Sequence, residues 1–93
     1  MDALPGADLV EEGLKDLARG EETQAACLVS IGAPKLRFLG KTVPEPTIPM
    51  AEHRLYALLA AEDSDSAHSR YNALVRRLVS YERALAGRRE YAW

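Results

Sequence analysis

Residues 66–86 read SAHSRYNALVRRLVSYERALA, and neither proline nor glycine interrupts them. Their apolar residues recur at intervals of three and four, which is the spacing of one face of an α-helix. The members of this face are Tyr71, Leu74, Val75, Leu78, Tyr81 and Leu85. The run DSDS at 63–66 supplies side chains that cap helix ends, and Gly87 follows as a typical helix stop. We therefore predict a long helix from Ser66 to Ala86.

The segment before this helix divides into an extended linker and a second helix. Three prolines within six residues exclude regular hydrogen-bonded structure from residues 40–49. We expect Val43 and Ile48 to attach this linker to the body of the protein. From Pro49 to Glu62 the helical spacing returns, with the apolar stripe Ala51, Leu55, Leu58 and Leu59.

The N-terminal half is also predicted to be helical. A first helix runs from an N-cap at Asp8 to about Arg19, and Gly20 stops it. Residues 21–32 are open to two interpretations: as a helix they carry a stripe of small residues, Thr23, Ala26, Cys27 and Ser30, whereas residues 27–31 also fit a short strand. Because a lone strand would leave buried backbone groups without partners, we favour the helix. Pro34 suits the first turn of a short helical piece that ends near Gly40.

Together these elements predict an all-α protein. It is a small helical bundle of four main helices plus a short helical turn, and the Pro-rich linker separates its two halves. With 93 residues the chain is expected to form a single domain, residues 1–93, with loose ends at 1–7 and 88–93.

The composition narrows the class of protein. Hydrophobic residues make up 47% and charged residues 28%, which is ordinary for a globular chain, and the formal net charge is −2. Cys27 is the single cysteine, which fits a reducing compartment. The sequence has no signal-peptide pattern and no apolar run that would span a bilayer. We expect a cytoplasmic protein with no membrane association, and its many alanines and arginines suggest a bacterial source.

Charge is unevenly distributed along the chain. Residues 66–93 contain six arginines against two glutamates, whereas residues 1–22 contain seven acids against two basic residues. Asn72, Arg76 and Arg83 lie on the face of the last helix opposite its apolar stripe, and arginine and asparagine are residue types that contact phosphates and base edges. This pattern raises a DNA-binding regulator as the alternative function. Arginines that solvate an outer face, or that pair with the acidic first helix, would produce the same pattern.

The sequence gives little indication of catalysis. His68 stands among hydroxyl and amide side chains and is the one candidate general base, but sequence neighbours do not face each other on a helix. The two histidines and Cys27 lack the spacing of a metal site, and the run 63–66 lacks the glycine and distal glutamate of a calcium loop. We predict no catalytic residue, no metal and no cofactor.

Apolar surface is the more informative feature. Val79 widens the apolar face of the last helix, and Ala57, Ala60 and Ala61 extend that of the preceding one. A chain this short cannot cover both faces fully, so association with itself or with another protein would bury the excess. We predict a helical protein–protein interaction module, a homodimer in its simplest form. Its predicted contact residues are Tyr71, Leu78, Tyr81 and Leu85 together with the arginine side of the same helix, because tyrosine and arginine most often carry interface energy.

Overall fold

The computed structural model describes residues 4–90, and within that range all of its regular secondary structure is helical. Its five helices confirm the predicted all-α class. In chain order they are α1 (Ala7–Ala18), α2 (Gln24–Ile31), α3 (Ala33–Phe38), α4 (Ala51–Glu62) and α5 (Ala67–Glu90). The ambiguous segment at 21–32 is therefore a helix, as we favoured.

Helix α2 is the centre of the bundle. It packs against α1, α4, α3 and α5, and residues 25–29 are buried around its whole circumference. A helix that is apolar on all sides belongs in the interior, because no face of it prefers water. Because α2 is buried on all sides, it has no polar face, and the sequence alone left this segment open between a helix and a strand.

The start of α2 is stabilised by two hydrogen bonds of one side chain. Thr23 is its N-cap and accepts a hydrogen bond from the Ala26 backbone N–H at 3.1 Å. The same hydroxyl donates to Asp16 Oδ2 at 2.7 Å. Asp16 is the buried acid of α1, so one threonine caps α2 and provides a hydrogen bond to a buried carboxylate.

Helices α1 and α2 approach closely at a glycine. A Cβ atom on Gly13 would lie 2.3 Å from the Ala25 carbonyl oxygen and 2.8 Å from Val29 Cγ1. Only a residue without a side chain allows the two backbones to meet at this distance.

The linker at residues 41–50 is attached as predicted. Val43 and Ile48 are buried in the core, and the Ile48 backbone N–H donates to Ser30 Oγ on α2 at 3.1 Å. This attachment allows a segment without regular structure to return the chain to the start of α4.

Several predicted helix ends were wrong. Asp8 is not an N-cap: α1 begins at Ala7, with Gly6 before it at φ 76, so Asp8 lies inside the first turn. Gly87 does not end α5, because an interior glycine costs a helix only about 1 kcal/mol and α5 continues to Glu90.

The expected loose ends lie partly outside the described residues. Leu4 already packs against the core and its carbonyl accepts from the Ala7 N–H at 3.0 Å, so the fold begins earlier than predicted. At the other end, residues 88–90 are helical. Residues 1–3 and 91–93 are not described.

Candidate interaction surface on the last helix

Helix α5 is twice as long as its neighbour α4, with 24 residues against 12. At 1.5 Å per residue the difference is roughly 18 Å, so much of α5 extends past α4. Two glycines outside α5 lie directly against it. A Cβ atom added to Gly32 would touch the Cδ atoms of Leu78, and one added to Gly6 would touch the backbone of Arg77. The second half of α5 thus packs against the ends of the short helices, which leaves one side of it only partly covered.

The predicted contact residues divide into two groups. Leu78 and Tyr81 are each only 3% exposed and belong to the core, so the contact-face prediction does not hold for these two. Tyr71 and Leu85 are half-buried against the same core. The helical period correctly grouped the four residues on one face, but that face is occupied by the protein's own core.

The partly covered side of α5 carries residues other than the predicted contact residues, and they recur at intervals of three and four along the helix. We call this set the α5 strip: Asn72, Val75, Arg76, Val79, Arg83 and Ala86. Arg76 and Arg83 are exposed, and the other four residues are half-buried. Val75 still touches the core at its edge, whereas Val79 and Ala86 lie outside the core cluster of the described residues. The strip is therefore an apolar line with a cationic edge.

A shallow cleft of about 260 Å³ lies at the C-terminal half of the strip. It is lined by Lys35, Val79, Glu82, Arg83 and Ala86. Burial raises the pKa of the Glu82 carboxyl, and the nearby Lys35 ammonium counteracts that rise. Lys35 reaches this surface from α3, so two helices form the cleft.

The arginines of α5 differ in their surroundings. Arg70 pairs with Glu62 at 2.8 Å, and Arg77 lies 3.5 Å from Asp8. The contact of Arg77 is with the acidic first helix, which was one of the non-functional explanations of the charge pattern, whereas Glu62 belongs to α4. Among the described side chains, residues 4–88, neither Arg76 nor Arg83 has a carboxylate at ion-pair distance. All three residues of the DNA-binding alternative, Asn72, Arg76 and Arg83, lie on the strip.

His68 lies in an aromatic cluster at the start of α5. The Tyr56 ring centroid is 6.5 Å from that of His68 and 5.8 Å from that of Tyr71. Asn72 Nδ2 is 3.2 Å from His68 Nε2. Burial raises the pKa of the Tyr71 hydroxyl, and the Glu52 carboxylate contributes a smaller rise.

The nearby hydroxyls do not complete a catalytic group. Ser66 Oγ hydrogen bonds to Asp63, and Ser69 Oγ donates to the Ser66 carbonyl oxygen. Because the hydroxyls of Ser66 and Ser69 bond elsewhere, neither serine is aligned with the exposed His68 as a nucleophile.

The other expectations about chemistry concern metals, thiols and membranes. Among residues 4–90, no three His, Cys, Asp or Glu side chains are grouped closely enough to hold a metal ion. Cys27 is fully buried, and burial raises the pKa of its thiol. In the same part of the chain, no helix has the length and apolar character needed to cross a bilayer.

Comparison with known proteins gave no significant match to a family model, a curated protein or a solved structure.

Sequence reasoning found part of this surface. It identified Val79 as surplus apolar area and placed Asn72, Arg76 and Arg83 on the outer side of α5. It missed Ala86 and Lys35. The seven-residue spacing of Val79 and Ala86 was a usable signal, whereas the approach of Lys35 depends on how α3 packs.

Proposed function

We propose that this chain is a helical protein–protein interaction module, without catalytic activity of its own, and that the α5 strip is its docking surface. The observation that carries the proposal is the position of Val79 and Ala86, half-buried and outside the core cluster, beside two arginines that lack an acidic partner among the described side chains. Apolar residues in such a line gain free energy when a second surface removes them from water. A second copy of the chain and a different protein are both candidate partners, and we place the chain in the cytoplasm, where a lone thiol stays reduced.

Two alanines of α5 provide a matched test. Ala86 lies half-buried on the strip, whereas Ala73 is exposed on α5 outside the strip. Ala86→Gln introduces a bulky polar side chain without changing the charge, and Ala73→Gln makes the identical change away from the strip. We expect Ala86→Gln to weaken association about tenfold, equivalent to about 1.4 kcal/mol, and Ala73→Gln to have no effect.

Two measurements would follow association. Sedimentation velocity over a range of concentrations reports self-association, and quantitative recovery from native-host lysate treated with nuclease reports other protein partners. Circular dichroism confirms that both variants remain helical. If Ala86→Gln and the wild type associate equally in both assays, the strip is not a docking surface.

A DNA-binding regulator is the second candidate. It is favoured by one observation: Asn72, Arg76 and Arg83 are aligned on one accessible edge of α5. In that case Arg76→Gln and Arg83→Gln would each weaken binding to any duplex and reduce its dependence on salt. Fluorescence anisotropy with a labelled duplex at low salt measures this, and absence of binding by the wild type would exclude it.

A further inference from the structure

We propose that the partner of the α5 strip is an acidic amphipathic helix of another protein. This inference rests on the proposed function, because it assumes that the strip is a docking surface. It adds the chemistry of the occupant: apolar side chains over Val79 and Ala86, and carboxylates beside Arg76 and Arg83.

The first argument is the local charge. Arg76 and Arg83 are seven residues apart on the same side of α5, which is roughly 10 Å along the helix axis. Carboxylates separated by two turns on a facing helix would match this distance. The strip therefore presents an uncompensated positive edge among the described residues, whereas Arg70 and Arg77 have acidic partners within the chain.

The one acid at the cleft does not offset these charges. Glu82 Oε2 would lie 3.0 Å from a Cβ atom on Gly32, so its carboxylate points inward to the junction of α2 and α3. Lys35 is the cation that affects its pKa. The carboxylate of Glu82 thus belongs to the inner side of the cleft and leaves Arg76 and Arg83 for a partner.

A second copy of the chain is a poorer occupant than an acidic helix. Two strips that face each other bring Arg76 and Arg83 against the same arginines of the other copy, and like charges at that separation repel. Some of the acids elsewhere in the chain are already held in ion pairs. Glu11 pairs with Lys41 at 2.9 Å, and Glu22 pairs with Arg54 at 2.7 Å.

Duplex DNA also fits the strip less well. Phosphate contacts need cations in number, and the strip alternates its arginines with Val75, Val79 and Ala86. Covering these apolar residues gains free energy only if the partner is apolar there too. An amphipathic helix satisfies both the apolar line and the cationic edge.

Two synthetic helical peptides of about 18 residues, long enough to form a helix on binding, would test the inference. One carries leucines at intervals of three and four with glutamates beside them, and the other replaces every glutamate by glutamine. Each is titrated at low salt into the full-length ¹⁵N-labelled protein, with amide shifts to locate binding and calorimetry to measure affinity. Arg76→Gln and Arg83→Gln are compared with Arg19→Gln, an exposed arginine on α1.

We expect the glutamate peptide to shift the amides of the strip and to bind more tightly than the glutamine peptide. Arg76→Gln and Arg83→Gln should each weaken the glutamate peptide about 2- to 5-fold, as for a partly exposed ion pair, and Arg19→Gln should not. Equal affinity of the two peptides, no binding of either, or equal loss with Arg19→Gln would overturn the inference.

Two further outcomes would replace the acidic helix by another occupant. Tighter binding of a mixed-sequence duplex at the same amides would assign the strip to DNA. Self-association that Ala86→Gln abolishes, with no peptide binding, would assign it to a second copy. That last result would leave the proposed interaction function intact, whereas wild-type behaviour of Ala86→Gln in every association assay would remove the proposed function itself.

Discussion

Replacing Gly13 by alanine tests the closest contact in the bundle. An added Cβ would lie 2.3 Å from the Ala25 carbonyl oxygen and 2.8 Å from the carbonyl carbon. Real Cβ contacts are essentially never below 3.0 Å, and the obstacle is backbone rather than a flexible side chain. Helices α1 and α2 would have to move apart by roughly 1 Å, which disturbs a close-packed interior.

The expected size of the effect follows from two opposing contributions. Overpacking at a rigid contact costs up to about 3 kcal/mol, and the higher helix propensity of alanine returns about 1 kcal/mol. The net loss in the free energy of unfolding is then about 2 kcal/mol. For a chain of this size, 1 kcal/mol shifts the melting temperature by about 4–8 °C, so Gly13→Ala should lower it by about 8–16 °C.

Gly87→Ala is the matched control. Gly87 is also inside a helix, but a Cβ there would meet nothing within 4 Å. The same substitution should therefore stabilise the protein by about 0.5–1 kcal/mol. Urea unfolding followed by circular dichroism gives both free energies, and the slope of the transition checks that cooperativity is unchanged. If Gly13→Ala were as stable as Gly87→Ala, the close packing of α1 on α2 would be wrong.

Three further substitutions probe the polar contacts and the buried thiol. Thr23→Ala should destabilise by about 1–2 kcal/mol in urea unfolding, because it removes the cap of α2 and a hydrogen bond to Asp16, whereas Thr23→Ser should remain near wild type. Ser30→Ala leaves the Ile48 backbone N–H unpaired, and hydrogen exchange at that amide should become faster. Burial raises the pKa of the Cys27 thiol, so the contribution of this thiol to the free energy of unfolding should be fully present below about pH 8 and should be lost as the pH rises further. Cys27→Ala should lack this alkaline loss of stability.

Each of these has an outcome that contradicts it. Equal stability of the alanine and serine variants at Thr23 would mean that the hydroxyl contributes nothing. Unchanged exchange at Ile48 in Ser30→Ala would show that the linker is attached by its apolar side chains alone. A pH profile of Cys27→Ala identical to that of the wild type would assign the alkaline loss of stability to other groups.

The sequence alone determined the fold class and most of the helices. The spacing of apolar residues found α4 and α5, because one side of each helix faces water and the contrast between sides has a period near 3.6. Prolines delimited the linker, and Val43 and Ile48 were recognised as its anchors because they are the apolar residues within it. These are local signals, and the structure confirms them.

Tertiary structure decided which apolar faces became core and which stayed open. Leu78 and Tyr81 belong to the strongest periodic face, and for that reason the protein's own core covers them. Val79 lies outside that face and remains half-buried, because α5 extends past α4 and that side is approached by Lys35 of α3 rather than by an apolar helix face. Sequence specifies that a helix is amphipathic, but the lengths and packing order of its neighbours determine how much of its apolar surface they can cover. The α5 strip exists because that cover ends before the helix does.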